Sequence, residues 1–302
     1  MKSFKIDLSP QRNLRRILIF LISLLVVYLG TNTALAWIFT TALTHPACRT
    51  PTPLAGDWSS PEQVRLHTTD GLQLRAWYYP AKNGVAILSL GSMVGSLGDQ
   101  PPPVDFLLDR GYGVLQIDSR ACTQPSRPVT LGANEVWDAA AALQFLQNRP
   151  EVQHIGAFGF SMGAATAIRS AARYPAVEAV VAEGNYANLG DLFLQTGSPQ
   201  SIPERIFRNT ISVSYRLQTG QDPAQIDPLA DLHRISPRPV LLIYGENELV
   251  PGDQDPQLQD NGYTVHLWIV PGGSHGRNYL LQPGAYQTRV LSFFDAALLG
   301  EN

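Results

Sequence analysis

Charge is scarce in this chain and cysteine scarcer still. Of 302 residues only 16% are Asp, Glu, Lys or Arg, and there are two cysteines, three methionines and six histidines. That leaves too little charge for a coiled coil and, with 44% apolar residues, too much hydrophobicity for a disordered chain. Two cysteines cannot build a zinc site alone, and no residue cluster suggests a metal or an organic cofactor. Basic stripes are missing as well. Five of the 22 basic side chains (Lys2, Lys5, Arg12, Arg15, Arg16) and one of the 25 acids (Asp7) fall in residues 1–16, so the remainder carries a net −7. A body of that sign does not attract phosphate backbones, which excludes nucleic-acid binding.

Residues 17–48 contain no formal charge at all. Residues 17–29 are apolar except Ser23, and apolar character resumes at 34–39. As a helix, 17–39 would extend roughly 34 Å, enough to cross a bilayer core. The basic cluster before it places residues 1–16 in the cytoplasm, 17–41 in the membrane, and the rest outside the inner membrane. A cleavable signal peptide ending at Ala34-Leu35-Ala36 is the rival reading, with secretion as its consequence. The retained anchor is favoured because the basic segment is long and apolar residues continue past Ala36. A Pro/Thr-rich tether is expected over 42–61. Export would allow Cys48 and Cys122 to form a disulfide, and two unrelated thiols are the alternative.

From residue 62 to the end, short β-rich runs alternate with helical ones. Strands are expected at 64–69 and 72–79 around an Asp70-Gly71 hairpin turn, then at 85–90, 113–117, 154–160, 177–182, 239–244 and 264–270. Helical spacing appears at 104–110, 136–149, 162–174, 255–261 and 286–299. Apolar runs without alternation, separated by helices, predict an α/β fold. Its sheet is mostly parallel, with helices on both faces and an antiparallel hairpin first. Residues 185–237 form an oversized connection, so a small helical cap is expected there, with candidate helices at 189–195, 203–219 and 228–232.

Gly159-Phe160-Ser161-Met162-Gly163 matches G-x-S-x-G between a strand-like and a helix-like run. An abrupt strand-to-helix turn strains the turning residue and needs flanking glycines, and it lifts the serine hydroxyl above the sheet edge. A serine needs a base, and only His275 follows a strand in a glycine-flanked loop, Pro271-Gly272-Gly273-Ser274-His275-Gly276. The imidazole in turn needs a carboxylate. The loop after 239–244 offers Glu248 as first choice, with Asp253 and Glu246 as fallbacks.

With these residues the sequence resembles the α/β-hydrolase superfamily, over about residues 63–299. It is most similar to membrane-anchored bacterial serine hydrolases of the prolyl-oligopeptidase and serine-aminopeptidase-like branch. The stretches that carry the resemblance are Thr69-Asp70-Gly71-Leu72-Gln73-Leu74, Asp118-Ser119-Arg120-Ala121-Cys122, the segment around Ser161, Gly245-Glu246-Asn247-Glu248-Leu249-Val250-Pro251 and Gly273-Ser274-His275-Gly276. The resemblance implies Ser161 as nucleophile, Glu248 as acid and His275 as base. It also implies an oxyanion hole from the backbone N–H groups of Met162 and Ser92. Three departures stand out. Leu90-Gly91 replaces the family's His-Gly, which leaves Met93 as an alternative donor to Ser92. The acid loop is one residue shorter and carries Glu for Asp. The Asp-x-Arg-Gly-x-Gly turn has lost its glycines, so an altered backbone is expected there.

The leading expectation is a carboxylesterase-like serine hydrolase acting through an acyl-enzyme on a small ester or peptide, with aminopeptidase and lipase activity as near variants. Acyl transfer to an acceptor shares the same triad. The alternative class is a catalytically silent hydrolase fold used as an exported binding or scaffold module. Apolar cap residues Phe193, Leu194, Ile206, Phe207 and Tyr215 are pocket candidates, although such spacing also suits an ordinary core.

Overall fold

The Val-, Ile- and Leu-rich runs assemble into one eight-stranded sheet in the computed structural model, which describes residues 10–47, 54, 58, 61–92, 103–124, 127–196, 199–248 and 265–300. The strands are β1 (Glu62–His67), β2 (Gln73–Tyr79), β3 (Val85–Leu90), β4 (Gly113–Ile117), β5 (His154–Phe160), β6 (Ala179–Glu183), β7 (Val240–Gly245) and β8 (Val265–Val270). They lie in the order β1-β2-β4-β3-β5-β6-β7-β8. β2 pairs antiparallel with β1 and β4, and all other neighbours are parallel. Gly71, at φ +84°, makes the first hairpin turn.

Every residue of β3, β6 and β7 is buried. That is the cost of covering a parallel sheet on both sides, and it explains why these strands read as unbroken apolar runs. Successive side chains go to opposite faces. Leu88, Ala157 and Leu242 meet α4 (Glu135–Gln147), α5 (Met162–Arg173) and α8 (Pro228–Ile235) in one core. Their neighbours Ile87, Phe158 and Ile243 face α2 (Asp105–Asp109) and α10 (Pro283–Phe294) in another. β8 is half-exposed.

A third core lies above the carboxyl edge of the sheet, where α6 (Leu189–Leu194) and α7 (Ile202–Thr219) form a small helical cap, whereas α8 packs on α5 in the first core. The Ser201 hydroxyl accepts the Glu204 N–H at the start of α7, and Gly220 ends that helix at φ +70°. Helix α1 (Pro10–Thr44) is longer at both ends than the expected 17–41. Its last turns are buried at Asn32, Ala36, Thr40 and Thr44, a four-residue spacing that turns one face toward α7. The Thr44 hydroxyl donates to Gln218 Oε1 at 2.9 Å, and the Thr44 carbonyl accepts the Val129 N–H at 2.7 Å.

Within the expected tether at 42–61, Leu54 and Trp58 touch the body. The Leu54 N–H donates to the Tyr79 hydroxyl at 2.6 Å and the Trp58 indole to Asp109 at 2.9 Å, and both side chains pack on the core beside α2. Apolar burial holds these two side chains against the body. Cys122 is disulfide-bonded. Cys48, like the expected helix at 255–261, lies outside the described residues.

Asp118–Thr123, the stretch without the family's glycines, folds as a short helix, α3 (Arg120–Thr123), with the Ser119 hydroxyl accepting the Ala121 N–H. Arg120 is buried there, held by Asp138 at 2.6 Å and Asp70 at 3.1 Å. Burial pushes the Asp138 carboxyl up to about 7 even against the pull of Arg120.

Candidate active site

The turn from β5 into α5 is built around contact distances that no side chain could enter. A Cβ on Gly159 would lie 2.2 Å from the Gly163 carbonyl oxygen, and one on Gly163 only 2.0 Å from that of Leu90. Ser161 sits between them at φ 56°, ψ −118°, a strained conformation costing about 1–3 kcal/mol that the surrounding backbone must hold. Part of that restraint is the Ser161 N–H, which donates to the Glu183 carbonyl of β6 at 2.8 Å.

His275 comes from the loop after β8, between Gly272 and Gly276, both at positive φ. Its Nε2 lies 3.1 Å from Ser161 Oγ, and its Nδ1 2.8 Å from Glu248 Oε1. An ionised carboxylate only accepts, so Nδ1 carries the proton and Nε2 is left to accept from the serine. The Phe160 ring lies against the imidazole with centroids 4.9 Å apart. Gly184 makes room for it, because a Cβ there would come within 2.8 Å of His275.

Glu248 stands in the tight turn after β7. Its Oε2 accepts the Gly245 N–H and, at 3.4 Å, the Asn278 amide. Burial pushes this carboxyl up, but the hydrogen bonds from His275, Gly245 and Asn278 and the charge of His275 outweigh it, leaving the pKa below the ordinary glutamate range. Glu246 is not at the imidazole; its Oε2 accepts the Gly272 N–H at 2.7 Å and so braces the histidine loop. Asp253 and Met93 lie outside the described residues. Ser92 and Met162 line one small cleft of about 50 Å³ at the end of β3. Met162 opens α5, where an N–H has no intrahelical acceptor.

Sequence reasoning missed a second carboxylate. Glu183, the last residue of β6, is buried and accepts from Tyr286 at 2.6 Å and Asn278 at 2.8 Å. Asn278 (in α9, Asn278–Leu281) thereby bridges Glu183 and Glu248. Burial, eased by these two donors and raised again by Glu248, pushes Glu183 up to about 7.

A cavity of about 550 Å³ rises from Ser161 and Met162 into the cap, walled by Phe193, Phe207 and Ile211 and, from α1, by Phe39 and Leu43. Of the expected pocket residues, Phe193 and Phe207 line it. Tyr215 instead fills the cap core, donating to the Thr130 carbonyl at 2.7 Å, and Ile206 faces the groove beside α1. Among the described residues, no group of three or more His, Cys, Asp or Glu side chains could hold a metal ion.

Sheet order, strand–serine–helix turn and histidine loop together define an α/β-hydrolase fold, and a family model described as the alpha/beta hydrolase fold matches residues 86–225. The chain has the α/β-hydrolase fold. It is 26% identical over 247 residues to the uncharacterized protein Rv2307c of Mycobacterium tuberculosis, covering 79% of this chain and 81% of that one. Among solved structures it resembles the Pyrococcus furiosus esterase Pf2001, with TM-score 0.62 and 24% identity over 83% of this chain and 99% of that one. It also resembles the Pyrococcus horikoshii acylaminoacyl peptidase, with TM-score 0.61 and 20% identity over 80% of this chain but only 42% of the peptidase.

Proposed function

We propose that the protein is a serine hydrolase that cleaves esters through Ser161, His275 and Glu248. The observation that carries this reading is the continuous chain of contacts from Ser161 Oγ to His275 Nε2 at 3.1 Å and from Nδ1 to Glu248 at 2.8 Å. His275 takes the serine proton as Oγ attacks the ester carbonyl, and Glu248 holds the ring and stabilises the imidazolium. The N–H groups of Met162 and Ser92 receive the oxyanion, each worth about 3 kcal/mol to the transition state. The imidazolium then gives its proton to the departing alcohol, leaving an acyl-enzyme. Water, deprotonated by the same ring, releases the acid and restores the serine. The esterase and peptidase resemblances fit acyl-transfer chemistry of this kind.

In this reading residues 1–16 are cytoplasmic and α1 anchors the chain in the membrane. Residues 62–302, with the cap at about 185–237, form the hydrolase domain outside the inner membrane. The arrangement is supported by the basic N-terminus and by α1, the one helix among the described residues long and apolar enough to span a bilayer.

A fluorophosphonate probe tests the chemistry. Wild type should be labelled on Ser161 and hydrolyse 4-methylumbelliferyl acetate, and Ser161→Ala should lose both, with turnover falling by at least about 10⁴-fold. A folded wild type that takes no label would instead favour the catalytically silent binding module.

A further inference from the structure

The cavity above Ser161 is not closed by the hydrolase domain alone. Phe39 and Leu43, from the last turns of α1, form part of its wall. This connects the candidate nucleophile to the one helix among the described residues with the length and composition to cross a membrane.

The level of that wall relative to a bilayer follows from helix geometry. A hydrocarbon core of about 30 Å takes about 20 helical residues, so a span that starts at Ile17 leaves the core near Trp37. Trp37 is 46% exposed, as an aromatic at a membrane–water boundary would be. Phe39 then lies about 3 Å beyond the core and Leu43 about 9 Å beyond it. Both stand at the level of the headgroups.

The cap is turned toward the same level. Gln218, near the end of α7, bonds to the Trp37 carbonyl and to Thr44. Because α1 ends at Thr44, the preceding turns of α7 run back along α1, and the start of α7 brings Ile202, Arg205 and Asn209 into a groove with Thr33 and Trp37, reaching about 6 Å to the membrane side of Trp37. The cap is also where apolar side chains remain uncovered. Outside α1, the described residues include seven exposed large hydrophobics, and four of them (Leu192, Ile202, Val213 and Leu217) are on α6 and α7. In water such a concentration is costly; against the interfacial region of a membrane it is not.

We propose that this cavity is an acyl-chain site supplied from the bilayer. The substrate class is then an ester of a long acyl chain resident in the membrane leaflet that faces the hydrolase domain, and α1 serves as one wall of the site as well as an anchor. The inference rests on the serine-hydrolase reading and deepens it. It also gives a reason for the close seat of α1 on α7. Ala36 is fully buried there, so the bond after it is shielded once the cap has folded. Cleavage at that bond would leave Phe39 and Leu43 on the chain but separate the wall from the membrane.

The test uses the full chain reconstituted into phosphatidylcholine vesicles, with fluorophosphonate labelling of Ser161 as an independent check that the triad is competent. 4-Methylumbelliferyl palmitate placed in the same vesicles should be hydrolysed at least tenfold faster than the same ester supplied in separate vesicles. The palmitate-to-acetate ratio of kcat/KM should exceed 10. Leu43→Trp, which narrows the cavity from the α1 side, should lower that ratio at least tenfold in protein that still takes the label. If Leu43→Trp does not label, Phe207→Trp on the opposite wall provides the same reading. Equal rates from the two vesicle arrangements, or an unchanged ratio in a labelled variant, overturns the acyl-site proposal while leaving the hydrolase reading intact. A wild type that fails to label sinks the hydrolase reading itself.

Discussion

The carboxyl edge of the sheet and the cap above it are built in opposite ways. At the edge, backbone touches backbone: a Cβ on Gly159, Gly163 or Gly245 would meet main-chain atoms at 2.0–2.3 Å, and β5 and β7, which end there, are buried except at His154. The cap has a small core of its own, leaves large apolar side chains exposed, and leans on α1. Close-packed backbone holds the Ser161 hydroxyl, the His275 imidazole and the Glu248 carboxylate within hydrogen-bonding distance of one another. A looser shell of side chains walls the cavity above them.

The comparison can be broken first where it is most extreme. Gly163→Ala drives a Cβ into the Leu90 carbonyl, backbone against backbone, and should cost about 4 kcal/mol or more, read as a collapse of Tm or loss of soluble fold. An alanine tolerated there would show that the edge is not rigid. Glu248→Gln should lower Tm slightly and kcat by about 10³-fold, because a neutral amide neither fixes the tautomer nor stabilises the imidazolium. A loss of less than tenfold would pass the acid role to another residue.

A third test reads the buried carboxylates. Burial raises Glu183 and Asp138 to about 7 from the ordinary carboxylate range near 4. Between roughly pH 4.5 and 7 the folded protein therefore keeps protons that the unfolded chain has released, and its stability should fall as pH rises through that window. Glu183→Gln should remove about half of the fall, measured as Tm against pH. Glu248, lowered instead, contributes stability above its unfolded value that is lost only as pH drops below it. The smallest effect belongs to the cap surface, where Val213→Thr should change stability by no more than about 0.5 kcal/mol.

Much of this was readable in advance, for a local reason. Strands β3, β4 and β5 fall on the expected residues because a doubly covered strand must be apolar throughout, and Ser161 was visible because a strained turn demands Gly159 and Gly163 in fixed places. His275 stood out through its flanking glycines. The bridge Glu183–Asn278–Glu248 did not, since its members come from a strand end, a short helix and a turn with no common pattern. The docking of Leu54 and Trp58 was hidden inside a composition that otherwise suits a tether. Arg120 read as part of a loop with missing glycines, yet its guanidinium sits at the centre of a buried ion network with Asp70 and Asp138.

The sequence by itself determined the strands, the elbow and a helix long enough for a bilayer, because each depends on the spacing of near neighbours and on backbone rules that act within a few residues. Only the tertiary structure decided that Phe39 and Leu43 share a cavity with Ser161, that Glu246 braces a loop while Glu248 meets the imidazole, and that a second carboxylate lies behind them. Those are relations between segments far apart in the chain. They are set by which faces pack together, and no local pattern records that choice.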